Sequence, residues 1–253
     1  GTVTHPPTSA LSATSGTFTG DVAVDTNVLK VDTSNNRVGI NVTSPSRTLQ
    51  IAGTDSNRVS SFTHSGDYAF ATFSDQNTTN DGSVRVGAYG NDLQLFAGGS
   101  ARVLIDTNGV VTKPAQPAFL AKVNSDQTNI ATNSDVTVLF NVERFDQNAD
   151  FDTGTYTFTA PVTGRYQLQT SLRLENVDTG GGYYQLKLVT SNTTYATIIS
   201  PLFSADASYW NMSHTVIADM DASDTAIVKI KQLQGTAQTD IDIESYFSGF
   251  LVC

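Results

Sequence analysis

The chain has 253 residues, of which only 15% are Asp, Glu, Lys or Arg, and 24 acidic against 14 basic residues give a net charge of −10. A phosphate backbone or an anionic membrane surface repels such a chain, so neither nucleic acid nor membrane insertion is expected. No apolar run is long enough to cross a bilayer, and the start lacks the basic and apolar regions of a signal peptide. The single cysteine, Cys253, leaves no disulfide within the chain.

Thr, Ser, Asn, Val and Gly crowd the sequence, a composition that suits turns and strands and is poor for helices, so the fold class predicted is all-β. Residues 1–21 are rich in Thr, Ser, Pro and Gly with almost no apolar periodicity, as in an extended attachment arm. Short strand-like pieces follow at 22–24, 28–31, 37–40, 48–51, 69–73, 84–88, 93–96 and 102–105. Turn residues such as Thr33-Ser34-Asn35-Asn36 and Thr107-Asn108-Gly109 close them. Leu29-Lys30-Val31-Asp32-Thr33 with its return Arg37-Val38-Gly39-Ile40 is echoed by Val103-Leu104-Ile105-Asp106-Thr107 with Gly109-Val110-Val111. Small repeated β-units with few large side chains cannot bury a private core, which predicts a slender shaft of residues 22–116 shared by several chains.

Gly16-Thr17-Phe18-Thr19-Gly20-Asp21-Val22, Leu29-Lys30-Val31-Asp32, Asn36-Arg37-Val38-Gly39-Ile40-Asn41, Thr43-Ser44-Pro45-Ser46 and Leu49 together resemble the β-rich shaft repeats of bacteriophage tail fibres, over residues 14–113. That resemblance implies a mechanical role and no particular ligand. Pro114 and Pro117 then break the pattern, and the domain boundary is placed there.

From residue 117 the chain is predicted to form a head. Strands are expected at 118–123, 136–140 and 142–145. A hairpin of 155–160 with 165–174 should follow, turned by Pro161-Val162-Thr163-Gly164, in which Tyr156, Phe158, Tyr166, Leu168 and Leu172 are buried. Further strands are expected near 184–188, 195–199, 212–218, 226–233 and 240–252, and eight to ten strands would close a two-sheet jelly roll. The spaced residues Phe145, Asn148, Phe151, Gly154, Tyr156, Phe158, Gly164 and Tyr166, with the ending Tyr246-Phe247-Ser248-Gly249-Phe250-Leu251, resemble the globular head of the complement C1q family, over residues 117–253. The resemblance implies a ten-strand jelly roll like that of C1q and tumour necrosis factor, with its last strand at the centre of a homotrimer. Tyr246, Phe247, Phe250 and Val252 are therefore the expected trimer contacts. The middle section, 190–211, matches only by strand count, so no family ligand site is carried over.

No catalytic motif is present. His5 lies in the arm, and His214 is in phase with Met212 and Val216, as a packed histidine would be. Asp219, Asp221 and Asp224 crowd one turn, where Asp more often bonds its own backbone than calcium, so no cofactor is assigned, with calcium the one ion considered. Asn41, Asn77, Asn192 and Asn211 stand in Asn-x-Ser/Thr sequences that an Asn- and Thr-rich chain produces by chance. Aromatic side chains beside loop carboxylates and amides suit sugars, and Tyr183, Tyr184, Tyr195, Tyr209 and Trp210 are the candidate receptor contacts. Together these features predict no enzyme but a homotrimeric virion fibre, joined to other virion proteins by its arm and to host-surface glycan by its head. A trimeric decoration or connector protein of purely structural role is the alternative.

Overall fold

A computed structural model describes residues 22–24, 28–52, 62–80 and 82–253, and every regular element among them is a strand. The arm assigned to residues 1–21 lies outside the described residues. None of the described residues forms a helix long and apolar enough to cross a membrane. The chain divides into two compact units, one taking in residues up to 71 with 87–90, the other 72–86 with 91–253.

In the first unit β1 (Val22–Val24), β2 (Leu29–Asp32) and β3 (Arg37–Ile40) form an antiparallel meander, and β4 (Leu49–Ile51) adds in parallel to β3. The β2–β3 turn closes because Asp32 Oδ1 accepts the Asn35 amide at 3.1 Å while Asn36 takes a left-handed φ of 54°. Next come β5 (Tyr68–Thr72) and β6 (Arg85–Tyr89).

Within the second unit β7 (Asp92–Ala97), β8 (Ser100–Ile105) and β9 (Val111–Thr112) repeat that logic. Asp106 Oδ1 accepts the amides of Val110 and Asn108, each at 2.8 Å, and Gly109 supplies φ +81°. Those amides, Val110 foremost, hold the Asp106 carboxyl below the usual carboxylate range. The internal repeat is therefore a hairpin tied by an aspartate at its turn.

The head adds β10 (Ala118–Lys122), β11 (Asp135–Thr137), β12 (Val142–Asp146), β13 (Phe151–Asp152), β14 (Thr157–Thr159) and β15 (Gly164–Val177). After these come β16 (Tyr183–Thr190), β17 (Thr194–Ile199), β18 (Ala207–Met220), β19 (Thr225–Leu233), β20 (Asp240–Ile241) and β21 (Tyr246–Leu251). They build two facing sheets. The first has the order β12-β10-β21-β15-β18 with β20 beside β15, and the second β13-β14-β19-β16-β17 with β11 beside β19. The expected ten strands become twelve among the described residues because short pieces split at turns. The segment expected to run unbroken from 240 is one case. Between Ile241 and Tyr246 four residues face two on β15. Asp242 and Ser245 close that bulge, the Ser245 hydroxyl accepting the Arg173 amide at 3.0 Å.

The predicted 155–160/165–174 hairpin is corrected by the fold. β14 pairs with β13 and β19, whereas β15 pairs with β18, β20 and β21, so the Pro161–Gly164 turn carries the chain from one sheet to the other. Two strands with one apolar face each can bury both by facing across a core as well as by lying side by side. Phe158, Tyr166, Leu168 and Leu172 are buried as expected. Tyr156 is only half-buried, because φ of 60° puts it in the turn before β14.

The core is aromatic at one end. Phe119 stacks on Phe158 at 4.8 Å and Phe151 at 5.0 Å, and meets Phe247 edge-on at 5.0 Å. Gly249 of β21 has no room for a side chain, since a Cβ would sit 2.7 Å from Leu168 Cδ2 and 2.8 Å from Phe119 Cε1. Phe158→Ala removes a fully buried ring of this cluster, one that packs on Phe119 and Tyr166, and is expected to cost about 3 to 5 kcal/mol in a denaturant melt. An unchanged midpoint would contradict the assigned core.

Candidate functional site

Alternation along the first sheet sends Phe119, Phe247, Leu168 and Ala218 inward and leaves Leu120, Phe250, Gln167 and Ile217 on the outer face. The register aligns Ile217, Gln167, Phe250 and Ala118 in one row, and Phe145, Leu120, Ser248, Gln169 and Thr215 in the next. Ile217 is 59% exposed, Phe145 51% and Phe250 43%. Phe145 and Phe250, with Leu120, Gln167, Gln169 and Ser248, border a shallow groove of about 400 Å³, and Ile217 lies outside it at the end of its row. Beside it the Tyr246 hydroxyl accepts a hydrogen bond from Gln169 Nε2 at 3.1 Å. A sheet with two apolar faces has only one second sheet to cover it, so this face is the best-defined candidate surface of the head.

Of the expected trimer contacts, Phe250 lies on this face, Tyr246 lies half-buried beside it, and Val252 is exposed at 44% near the chain end. Phe247 is a correction: it is fully buried within its own chain against Phe119 and Phe140, because it is out of phase with Tyr246 and Phe250. Sequence reading missed Leu120, Phe145 and Ile217. The signal for Ile217 was its phase opposite His214 and Val216 on a strand assigned a single apolar face.

The five aromatic candidates do not converge. Tyr184 is fully buried, its hydroxyl 2.7 Å from Thr239 Oγ1 and accepting the Asp178 amide at 2.9 Å, and burial pushes that hydroxyl's pKa up. It is therefore core, not a surface contact. Tyr195 packs on the core from β17, and Tyr183 lies half-buried opposite Leu233. Tyr209, 61% exposed, stands 5.7 Å from the Arg173 guanidinium, while Trp210 points to the other face of β18 and packs on Phe203 at 5.0 Å. Consecutive residues on a strand cannot share a face, which divides this pair.

Arg173 itself grips Asp242 at 2.6 Å, and that hydrogen bond holds the guanidinium pKa up. Burial pushes the Asp242 carboxyl up, but the Arg173 bond and the Glu244 amide outweigh it and the net direction is down. Neighbouring Glu175 is raised, first by its hydrogen bond with Asp242 and then by burial. Among the described residues His214 Nε2 is buried without a hydrogen-bond partner, and the ring lies on the core side opposite Thr170, the packed position that its phase predicts. Asp224 Oδ2 accepts the Asp221 amide at 2.9 Å and Asn192 Nδ2 at 2.6 Å, which accounts for the acidic turn by its own backbone. Among the described residues no group of three or more His, Cys, Asp or Glu converges as a metal site.

Among the carboxylates that tie the loops at the end of the head away from the linker is Asp206. Asp206 accepts the Thr179 amide at 2.9 Å, its hydroxyl at 2.8 Å and Gln238 Nε2 at 2.8 Å, and these bonds, the amide first, hold its pKa below the usual range. Such a depressed group stabilises the fold above the ordinary carboxylate range, and its contribution is lost as pH falls through the folded value. Asp206→Ala is expected to speed amide exchange in residues 179–182 while the global melting midpoint stays nearly constant. Acidification of the unsubstituted protein should reproduce the local effect. Unchanged exchange in that loop would contradict the assignment.

The geometry can be set beside known proteins. No curated protein matches the sequence. Among solved structures, the globular domain of zebrafish complement 1qA protein is 22% identical with a TM-score of 0.41, the match covering 55% of this chain and 98% of that one. Murine APRIL is 11% identical with a TM-score of 0.40, covering 54% and 99% respectively. The C1q domain model matches residues 118–252, the span of the two facing sheets and more than half of the protein. The chain thus belongs to the C1q domain family.

Proposed function

We propose that this chain is a homotrimeric virion fibre, with residues 1–21 as its attachment arm, 22–116 as a β shaft and 117–253 as the head that adheres to host-surface glycan. C1q-like domains typically assemble as homotrimers and are generally binding modules, not enzymes. The observation that carries the reading is the apolar patch of Ile217, Phe250, Leu120 and Phe145, in two adjacent rows on the outer face of the first sheet. Burying each large apolar side chain contributes about 1.5 to 3 kcal/mol, and three copies meeting on a threefold axis would cover all of them at once. Exposed Leu93 and Leu95 on one face of β7 support a shaft that shares its apolar surface between chains. Three heads on one stalk raise apparent affinity through multivalency, so a weak site suffices on a surface where glycans repeat.

The experiment combines assembly and adhesion. Phe250→Asp places a charge at the axis in every copy, a penalty of several kcal/mol per copy without a counter-charge. Size exclusion with light scattering is expected to find a trimer for the unsubstituted protein and monomer or unfolded chain for the variant. Host-cell binding, measured alongside, is expected to be lost with the trimer. A variant that remains a trimer of unchanged stability would contradict the interface. A trimer that binds no host cell would favour the decoration or connector role, and sugar released from host polysaccharide would favour an enzyme.

A further inference from the structure

The outer face of the second sheet has a charge opposite to that of the head as a whole. Leu186, Leu188, Val228 and Ile230 are fully buried, so alternation sends Lys187 of β16 and Lys229 and Lys231 of β19 to the outside. Three of the seven basic residues beyond position 113 thereby share one sheet face, in a region that holds fifteen acidic residues. The register puts Lys187 directly opposite Lys229, and Gln185 opposite Lys231. Like charges set directly across an antiparallel pair are destabilising, so folding alone gives no reason for the arrangement. Asp135 of β11 relieves part of it by pairing with Lys187 at 2.7 Å. Among the described residues neither Lys229 nor Lys231 forms an ion pair; Asp135 stands opposite Lys231 on β11 but is held by Lys187, and Lys229 has Thr137, not an acid, as its neighbour there.

What surrounds these amines suits a saccharide better than a peptide. Lys229 and Lys231 lie two residues apart on one strand, roughly 7 Å, and both are half-buried, as lysines are whose stems lie along a sheet. Gln185 offers an amide beside Lys231, and Tyr183 a ring at the end of the same strand face. The lysines stand on β16 and β19, which are paired on both sides within the sheet, so these strands give an extended peptide no free edge on which to add. It also lies on the side of the head away from the face that the trimer would cover, and stays open in that assembly.

We propose that this face binds an acidic polysaccharide directly, Lys229 and Lys231 meeting its carboxylates or sulfates and Gln185 and Tyr183 its hydroxyls and ring faces. The proposal rests on the adhesive reading above and names its ligand class. An acidic head selects such a polymer only through this basic strip, which makes binding short-ranged and sensitive to salt.

The test titrates the full chain with polygalacturonate, dextran sulfate, neutral dextran and polyglutamate, at low and high salt. Polygalacturonate or dextran sulfate is expected to bind and neutral dextran is not, with polygalacturonate separating carboxylate from sulfate preference. The double variant Lys229→Gln/Lys231→Gln is expected to weaken binding at least about tenfold in the multivalent protein, while Lys229→Arg/Lys231→Arg retains it. Lys187 is left in place because it holds Asp135. Failure of both acidic polysaccharides to bind, equal binding of neutral dextran, indifference to the Gln variant, or polyglutamate binding as tight as the polysaccharide would each overturn the proposal. Host-cell binding run in parallel separates the two readings: cells bound without either polysaccharide sink the basic strip alone, and cells not bound sink adhesion.

Discussion

Everything in the head depends on one constraint: β21 lies at the centre of a sheet whose two faces are both apolar, and the described residues of the head supply one sheet to cover them. Its inward residues, Phe247 and Gly249, pack so closely that Gly249 can carry no side chain beside Leu168 and Phe119. Its outward residues, Tyr246 and Phe250, continue a surface begun by Leu120 and Phe145 and ended by Ile217. The inner face explains why the domain folds. The outer face explains why it would not remain alone.

The same strand also anchors what precedes the head. Gln116 Nε2 bonds the Leu251 carbonyl at 2.8 Å, Leu251 donates its amide to the Pro117 carbonyl at 3.1 Å, and Gln147 Nε2 holds the carbonyls of Lys113 at 2.7 Å and Gln116 at 3.0 Å. The linker is therefore fastened to the end of β21 by side-chain amides. At the opposite end of the head, loops are tied by Asp178, Asp206 and Asp242, each carboxylate serving backbone amides. Most of the head's acidity at that end is thus turned inward to its own chain and is not offered to a ligand.

Much of this was legible because alternation is a local signal. Tyr184, Leu186 and Leu188 had to share a face, and the spaced aromatics from Phe145 to Tyr166 with the ending at Leu251 pointed to the jelly roll. What alternation cannot say is which strand lies beside which. Thr157–Thr159 and Gly164–Val177 look like a hairpin because a Pro–Gly turn joins them, yet they sit in facing sheets, and either arrangement buries the same residues. Two of the candidate contacts, Phe247 and Tyr184, are core residues by their phase. Phe247 has the composition of an interface residue and the phase of a core one, and Tyr184 differs from Tyr183 only in which side of β16 it occupies. Lys187 and Lys229, 42 positions apart, became neighbours only once β16 and β19 were paired.

The central claim is that the outer face of the first sheet is covered in solution. Hydroxyl-radical footprinting of the intact protein tests it residue by residue, with Tyr209 as an internal reference on an exposed strand end. The account predicts that Phe145, Phe250 and Tyr246 are protected while Tyr209 is oxidised readily, although a single chain leaves Phe250 43% and Phe145 51% exposed. Oxidation of Phe145 and Phe250 at the rates their exposure in one isolated chain implies would mean that nothing covers the face, and would contradict the account.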